Sequence, residues 1–182
     1  MNFGDNLANM TELLSFPIGR FDPSAVSPEM RTPAIAAIAE LPVRMRAAAA
    51  GLNDAQLDTP YRPGGWTVRQ LVHHVADSHM NGYIRAKLGL TEHNPTIKPY
   101  EQDAWATLAD MRLPIEVSLS LLDGIHLRWA TVWNSLRPEQ FARKFQHPEL
   151  GALTLDTHLQ LYAWHSRHHV AHITALRARE GW

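Results

Sequence analysis

Apolar residues recur at helical spacing in four separate stretches of the chain, with turn-forming residues between them. The first stretch covers Pro33-Ala34-Ile35-Ala36-Ala37-Ile38-Ala39-Glu40-Leu41 and continues from Val43 to Ala50, where Gly51 supplies a stop. Pro42 lies inside it and predicts a kink or a division, because proline brings no N–H to the helix. The second stretch runs from about Thr67 to Leu90. A dense turn signal from Asp58 to Gly65 precedes it, and Thr67 with Gln70 has capping-box spacing. Val117, Leu119, Leu121, Leu122, Ile125, Trp129, Val132, Trp133 and Leu136 form the third, closed by Arg137-Pro138. The last starts at Leu155-Asp156-Thr157 and continues through Leu159, Leu161, Trp164, Val170, Ile173 and Leu176. Strand signals are almost absent, so the pattern predicts an all-α fold, a four-helix bundle.

The segments between the helices complete the plan of one domain over residues 1–182. Residues 1–30 contain Pro17, Gly19, Pro23 and Pro28 without a sustained apolar period, which predicts an extended N-terminal arm wrapping the bundle. Residues 91–114 form a long connection with one short helix near Ala104-Trp105, and a loop of that length usually covers something. His147-Pro148-Glu149-Leu150-Gly151 is a turn.

Composition narrows the partners. Seventeen Lys and Arg nearly balance 18 Asp and Glu, leaving a net charge of -1. No Lys/Arg run is dense enough for a nucleic-acid footprint. With no stretch near the ~20 apolar residues that span a bilayer and no leader-like start, the expectation is a cytoplasmic protein with a small-molecule substrate and neither membrane nor nucleic acid as partner. The chain has no cysteine, which excludes disulfides, thiolate metal sites and a cysteine nucleophile. Any metal is therefore held by nitrogen or oxygen.

The histidines carry the candidate chemistry. Of eleven, eight fall in two segments, His73-His74-His79 and His158-His165-His168-His169-His172. His165 and His169 stand at i and i+4 on the last helix, which puts two imidazoles on one face within chelating reach. His168 and His172 form a second such pair, rotated by one residue. A catalytic zinc-type site takes three protein ligands, and the second helix offers His73, His74 and Asp77. The stripe Leu71, His74, Ser78 and Asn81 turns His74 inward, while His73 falls at the edge. Asp77, one turn from His74, is a candidate for orienting an imidazole or a water. The tryptophans read as core, and Arg85 and Arg128 as surface ion-pair residues.

The run from Leu57 to Asn81, with Trp66-Thr67-Val68-Arg69 and His73-His74-Val75-Ala76-Asp77, resembles the YfiT group of the DinB superfamily. So does the tail Tyr162-Ala163-Trp164-His165-Ser166-Arg167-His168-His169-Val170-Ala171-His172-Ile173. The resemblance implies a DinB/YfiT-like bundle, often a homodimer, holding one divalent metal through His74, His165 and His169. It also implies a metal-dependent hydrolase that activates a metal-bound water, or alternatively a thiol S-transferase of the bacillithiol type. A non-catalytic metal-binding bundle is the third possibility, and it predicts a closing fourth ligand such as His168, His172 or His158. Nitrogen donors fit zinc, nickel, cobalt or copper better than magnesium or calcium, and the expected metal is zinc, with nickel as the alternative.

Overall fold

The computed structural model describes residues 11–182. Four long helices dominate it: α1 (Arg31–Ala49), α2 (Val68–Thr91), α3 (Glu116–Asn134) and α4 (Leu155–Glu180). Each boundary falls within a few residues of the apolar pattern. The Thr67 hydroxyl accepts from the Gln70 N–H, and the Gln70 side chain accepts from the Thr67 N–H, so the predicted capping box opens α2. Thr154 caps α4 in the same way through the Thr157 N–H, and Gly181 at φ 72° closes it.

Helices α1 and α2 each pack against both α3 and α4, and so occupy diagonally opposite corners of the bundle. Two apolar clusters fill its interior. Leu41, Met45, Leu71, Val75, Leu119 and Ile173 belong to one, and Ile38, Trp129, Trp133, Phe145, Leu159 and Tyr162 to the other. Where α3 and α4 pass from one cluster to the other they carry His126, His165, His168 and His169, opposite His74 and His79 of α2. A layer of histidine thus lies between two apolar layers.

Two sequence expectations need correction. Pro42 does not divide α1, which continues as helix from Arg31 to Ala49 with Pro42 buried inside. Pro42 cannot cover the Ile38 carbonyl four residues earlier, but the ring Nδ1 of His126 on α3 reaches that carbonyl instead. The second correction is a small antiparallel hairpin, β1 (Lys144–His147) and β2 (Gly151–Thr154), on either side of the predicted turn. It pairs Lys144 with Thr154 and His147 with Gly151.

The described part of the N-terminal arm is not wholly extended. Residues 11–15 are helical, and 3-10 turns occupy Pro23–Ala25 and Pro28–Met30. This segment lies along α4: Trp164 Nε1 donates to the Gly19 carbonyl at 3.1 Å and Gln160 Nε2 to the Ser27 carbonyl at 2.8 Å. Residues 1–10 of the predicted arm lie outside the described residues. The connection after α2 holds a helical turn at Gln102–Trp105, as its sequence suggests. Among the described residues no helix is long and apolar enough to cross a membrane.

Candidate metal centre

His74 reaches the bundle interior from α2, and His165 and His169 reach it from successive turns of α4. The nearest ring nitrogens, Nε2 of His165 and Nε2 of His169, are 3.1 Å apart. Ring centroids lie 5.0 Å from His74 to His169 and 5.5 Å from His74 to His165. One nitrogen from each of the three falls within 4.8 Å of the others. Trp66, on the loop into α2, packs its ring 4.4 Å from that of His74.

The donor set suits a metal. Burial pushes His74 down to about 4 and holds His165 and His169 well below the usual imidazole range. All three rings are therefore neutral at neutral pH and present a lone pair. Two nitrogens bound about 2.0–2.1 Å from a tetrahedral zinc stand about 3.3 Å apart, close to the His165–His169 separation. Two nitrogens facing each other at 3.1 Å with nothing between them satisfy only one lone pair by a shared proton, whereas a cation satisfies both.

A second group, His168, His169 and His172, also brings ring nitrogens within 4.8 Å. It comes from a single helix and shares His169 with the first group. His168 and His172 share a contact at 3.0 Å between their Nε2 atoms, while Trp164 stacks on His168 at 4.4 Å and Tyr61 packs 4.1 Å from His172. His158 Nε2 donates to the Gly82 carbonyl at 2.9 Å. Of the three candidates for a fourth ligand, His158 thus has a main-chain partner, while His168 and His172 face each other as His165 and His169 do.

A cavity of about 100 Å³ touches His165 and is lined also by Ser78, Arg85, His147, His158 and Tyr162. An adjoining hollow of about 380 Å³ shares Ser78, Arg85, His147 and Tyr162 with it and extends to Tyr100 and Asp103. A separate concavity of about 910 Å³ around Arg69, Gln70 and Met111 has no histidine in its lining. Arg85 makes no ion pair among the described residues; its guanidinium donates to the Lys98 carbonyl at 3.3 Å, so the surface ion-pair expectation does not hold. Arg128 lies 5.5 Å over the Tyr83 ring rather than beside a carboxylate.

Other sequence candidates fall outside the trio. His73 is buried between α2 and α3, with Nδ1 2.7 Å from Ser118 Oγ and Nε2 3.0 Å from the Leu113 carbonyl. Asp77 makes no hydrogen bond to the three imidazoles; burial raises its carboxyl to about 6. The group beside His165 is His79, whose Nε2 stands 3.0 Å from His165 Nδ1, and behind it His126 stands 3.0 Å from His79 Nδ1. Sequence reasoning missed both roles. His79 lies five residues from His74, off its helical stripe, and His126 is an isolated histidine in an apolar helix.

The chain and its fold have close counterparts. A protein of Bacillus cereus named "Putative metal-dependent hydrolase" is 53% identical over 170 residues, 93% of this chain and 98% of that one. A Bacillus mycoides protein of the same description is 52% identical over the same span. YfiT of Bacillus subtilis, described as a probable metal-dependent hydrolase with an unusual four-helix bundle topology, superposes with a TM-score of 0.89. It is 48% identical and covers 93% of this chain and 99% of its own. A four-helix bundle protein, TT2238, shares the fold at 19% identity and a TM-score of 0.53, covering 84% of this chain. The DinB superfamily model matches residues 37–173, which include all three converging histidines. With that match over most of its length and relatives more than half identical along it, the chain belongs to the DinB superfamily.

Proposed function

We propose that His74, His165 and His169 hold one divalent cation, zinc before nickel, and that the protein is a metal-dependent hydrolase of a small-molecule substrate. One observation carries this reading: three neutral imidazoles from two helices, His74 and His169 buried and His165 half-buried, converge with one nitrogen from each within 4.8 Å of the others. Three neutral donors leave a divalent ion its full charge, with which it acidifies water and polarises a substrate oxygen when bound.

The remaining work falls to the chain itself. Trp66 shields His74 on one side, and apolar layers lie above and below the imidazoles. The cavity beside His165 offers a small substrate a way in, with Arg85, Tyr162 and Ser78 on its wall. Among the described residues no fourth side chain is grouped with His74, His165 and His169, so this arrangement favours an open coordination position over a closed structural site.

The test is metal content per chain in the purified untagged protein and in His74→Ala, followed by a screen of esters, amides and phosphoesters with the zinc-loaded protein. Near-stoichiometric metal that disappears in the variant, together with hydrolysis that chelation abolishes, is expected. No metal in either protein after reconstitution overturns the reading. A small thiol and an alkyl electrophile offered in the same screen test the transferase alternative.

A further inference from the structure

We infer that a chain of hydrogen bonds running from Ile38 through His126 and His79 to His165 fixes the tautomer of His165, so that its Nε2 lone pair always faces the candidate metal centre. The inference rests on the proposed ligand set and deepens it. It makes His79 and His126 positioning residues and gives Pro42 a reason to stand inside a helix.

The argument starts at the one end where the direction of donation is not in question. Pro42 has no N–H, so the Ile38 carbonyl lacks the partner that residue i+4 gives every other carbonyl inside a helix. A buried carbonyl needs a donor, and His126 Nδ1 is within hydrogen-bond reach of it. A carbonyl only accepts, so His126 carries its proton on Nδ1. Both rings behind His165 are fully buried and their hydrogen-bond partners are imidazoles and a carbonyl, with no carboxylate among them, so each carries one proton. His126 Nε2 is then a bare lone pair, and the atom 3.0 Å from it, His79 Nδ1, must be the donor. That leaves His79 Nε2 as an acceptor, and His165 Nδ1, 3.0 Å away, donates to it. With its proton on Nδ1, neutral His165 has its lone pair on Nε2, the atom 3.1 Å from His169 Nε2.

Each link comes from a different helix: Ile38 from α1, His126 from α3, His79 from α2 and His165 from α4. The rings are held in place by more than these bonds. His79 and His126 stack with centroids 4.9 Å apart, and Trp129 meets both edge-on at 5.8 and 6.0 Å. Metal-ligating histidines usually send their second nitrogen to a carboxylate, carbonyl or water. Here two further imidazoles carry that contact across the bundle to a main-chain carbonyl.

The experiment reads tautomers directly, by long-range proton–nitrogen correlation on metal-free protein with ¹⁵N-labelled histidine, and reads zinc affinity by competition with a chromophoric chelator. The expected result is an Nδ1–H tautomer at His126, His79 and His165. His79→Leu and His126→Phe are expected to weaken zinc binding by about 10- to 100-fold and to leave His165 as a mixture of tautomers. His79→Gln keeps an acceptor at the ε position and is expected to recover most of the affinity. Pro42→Ala gives the Ile38 carbonyl a competing N–H and is expected to weaken zinc binding less than His126→Phe.

An Nε2–H tautomer at any of the three positions in the unaltered protein overturns the relay, whether or not the variants fold. Zinc affinity within twofold of the original in a folded His79→Leu overturns it as well. If the three tautomers are as assigned but the unaltered protein binds no zinc, the relay stands and the proposed ligand set fails.

Discussion

The hydrogen bond between His126 and Ile38 exists because of a third residue. Pro42 gives α1 no N–H where the Ile38 carbonyl needs one, and the His126 imidazole supplies the donor from α3. A proline in mid-helix costs about 3 kcal/mol or more when the freed carbonyl finds no partner. Here tertiary structure offsets part of that cost and ties α1, which holds none of the proposed ligands, to the histidine layer.

Metal content separates ligands from neighbours. His169→Ala is expected to lose the ion after dialysis, while His73→Ala keeps it, because His73 is bonded to Ser118 and Leu113 away from the trio. His79→Ala is expected to keep stoichiometric metal when zinc is saturating and to release it at lower concentrations. Equal loss from His169→Ala and His73→Ala would show the assignment to be wrong.

Removing the metal should lower thermal stability. A ligand present at 100 times its dissociation constant stabilises the folded state by about 2.7 kcal/mol. For a chain of this size that corresponds to roughly 5–10 °C in Tm. Calorimetry with and without a chelator measures it; an unchanged Tm in protein shown to be metal-free would refute the coupling of binding to folding.

Buried neutral histidines make the metal-free fold sensitive to acid. Burial lowers His158 and His126 to about 4, against an ordinary value near 6.5. The unfolded chain therefore takes up protons first, so their contribution is complete above about 6.5 and is lost as pH falls toward 4. At roughly 1.4 kcal/mol per pH unit, each residue accounts for about 3 kcal/mol across that window. Urea midpoints between pH 7.5 and 4.5 follow the loss. His158→Gln, which keeps a donor for the Gly82 carbonyl, should flatten the curve, and an unaltered slope in that variant would contradict the assignment.

Gly82 sets how closely α2 and α4 approach. A Cβ there would lie 2.5 Å from Tyr162 Cζ and 2.8 Å from Trp129 Cη2. Gly82→Ala should cost about 1–3 kcal/mol through overpacking and weaken zinc binding, since the two helices carry the three proposed ligands. Gly124→Ala is the control: a Cβ there meets nothing within 4 Å, so helix propensity should make that change neutral or stabilising by up to about 1 kcal/mol. Denaturant titration distinguishes the two, and a stable Gly82→Ala would mean that Tyr162 moves aside without cost.

How far these features were legible depends on the range over which each is specified. The Thr67 and Gln70 cap, the stop at Gly51 and the His165–His169 pair are local, and periodicity alone exposes them. The hairpin strands are four residues each, too short to establish an alternating pattern. The continuity of α1 through Pro42 was illegible for a different reason: its compensating donor lies 88 residues further along the chain. Likewise the 47 residues between His79 and His126 hide their contact until the bundle closes. The i,i+4 relation of Ile38 to Pro42 was visible all along as an unmatched carbonyl, but nothing local named the group that would match it.

Trp66, described above only as a shield for His74, has an optical consequence. Its indole lies 4.4 Å from the imidazole, well within the range at which an open-shell cation on His74 drains an excited state. Nickel or copper entering the site should therefore dim this fluorophore while zinc leaves it bright, and Trp66→Phe should erase the difference. The chain thus contains its own lamp for watching a colourless site fill.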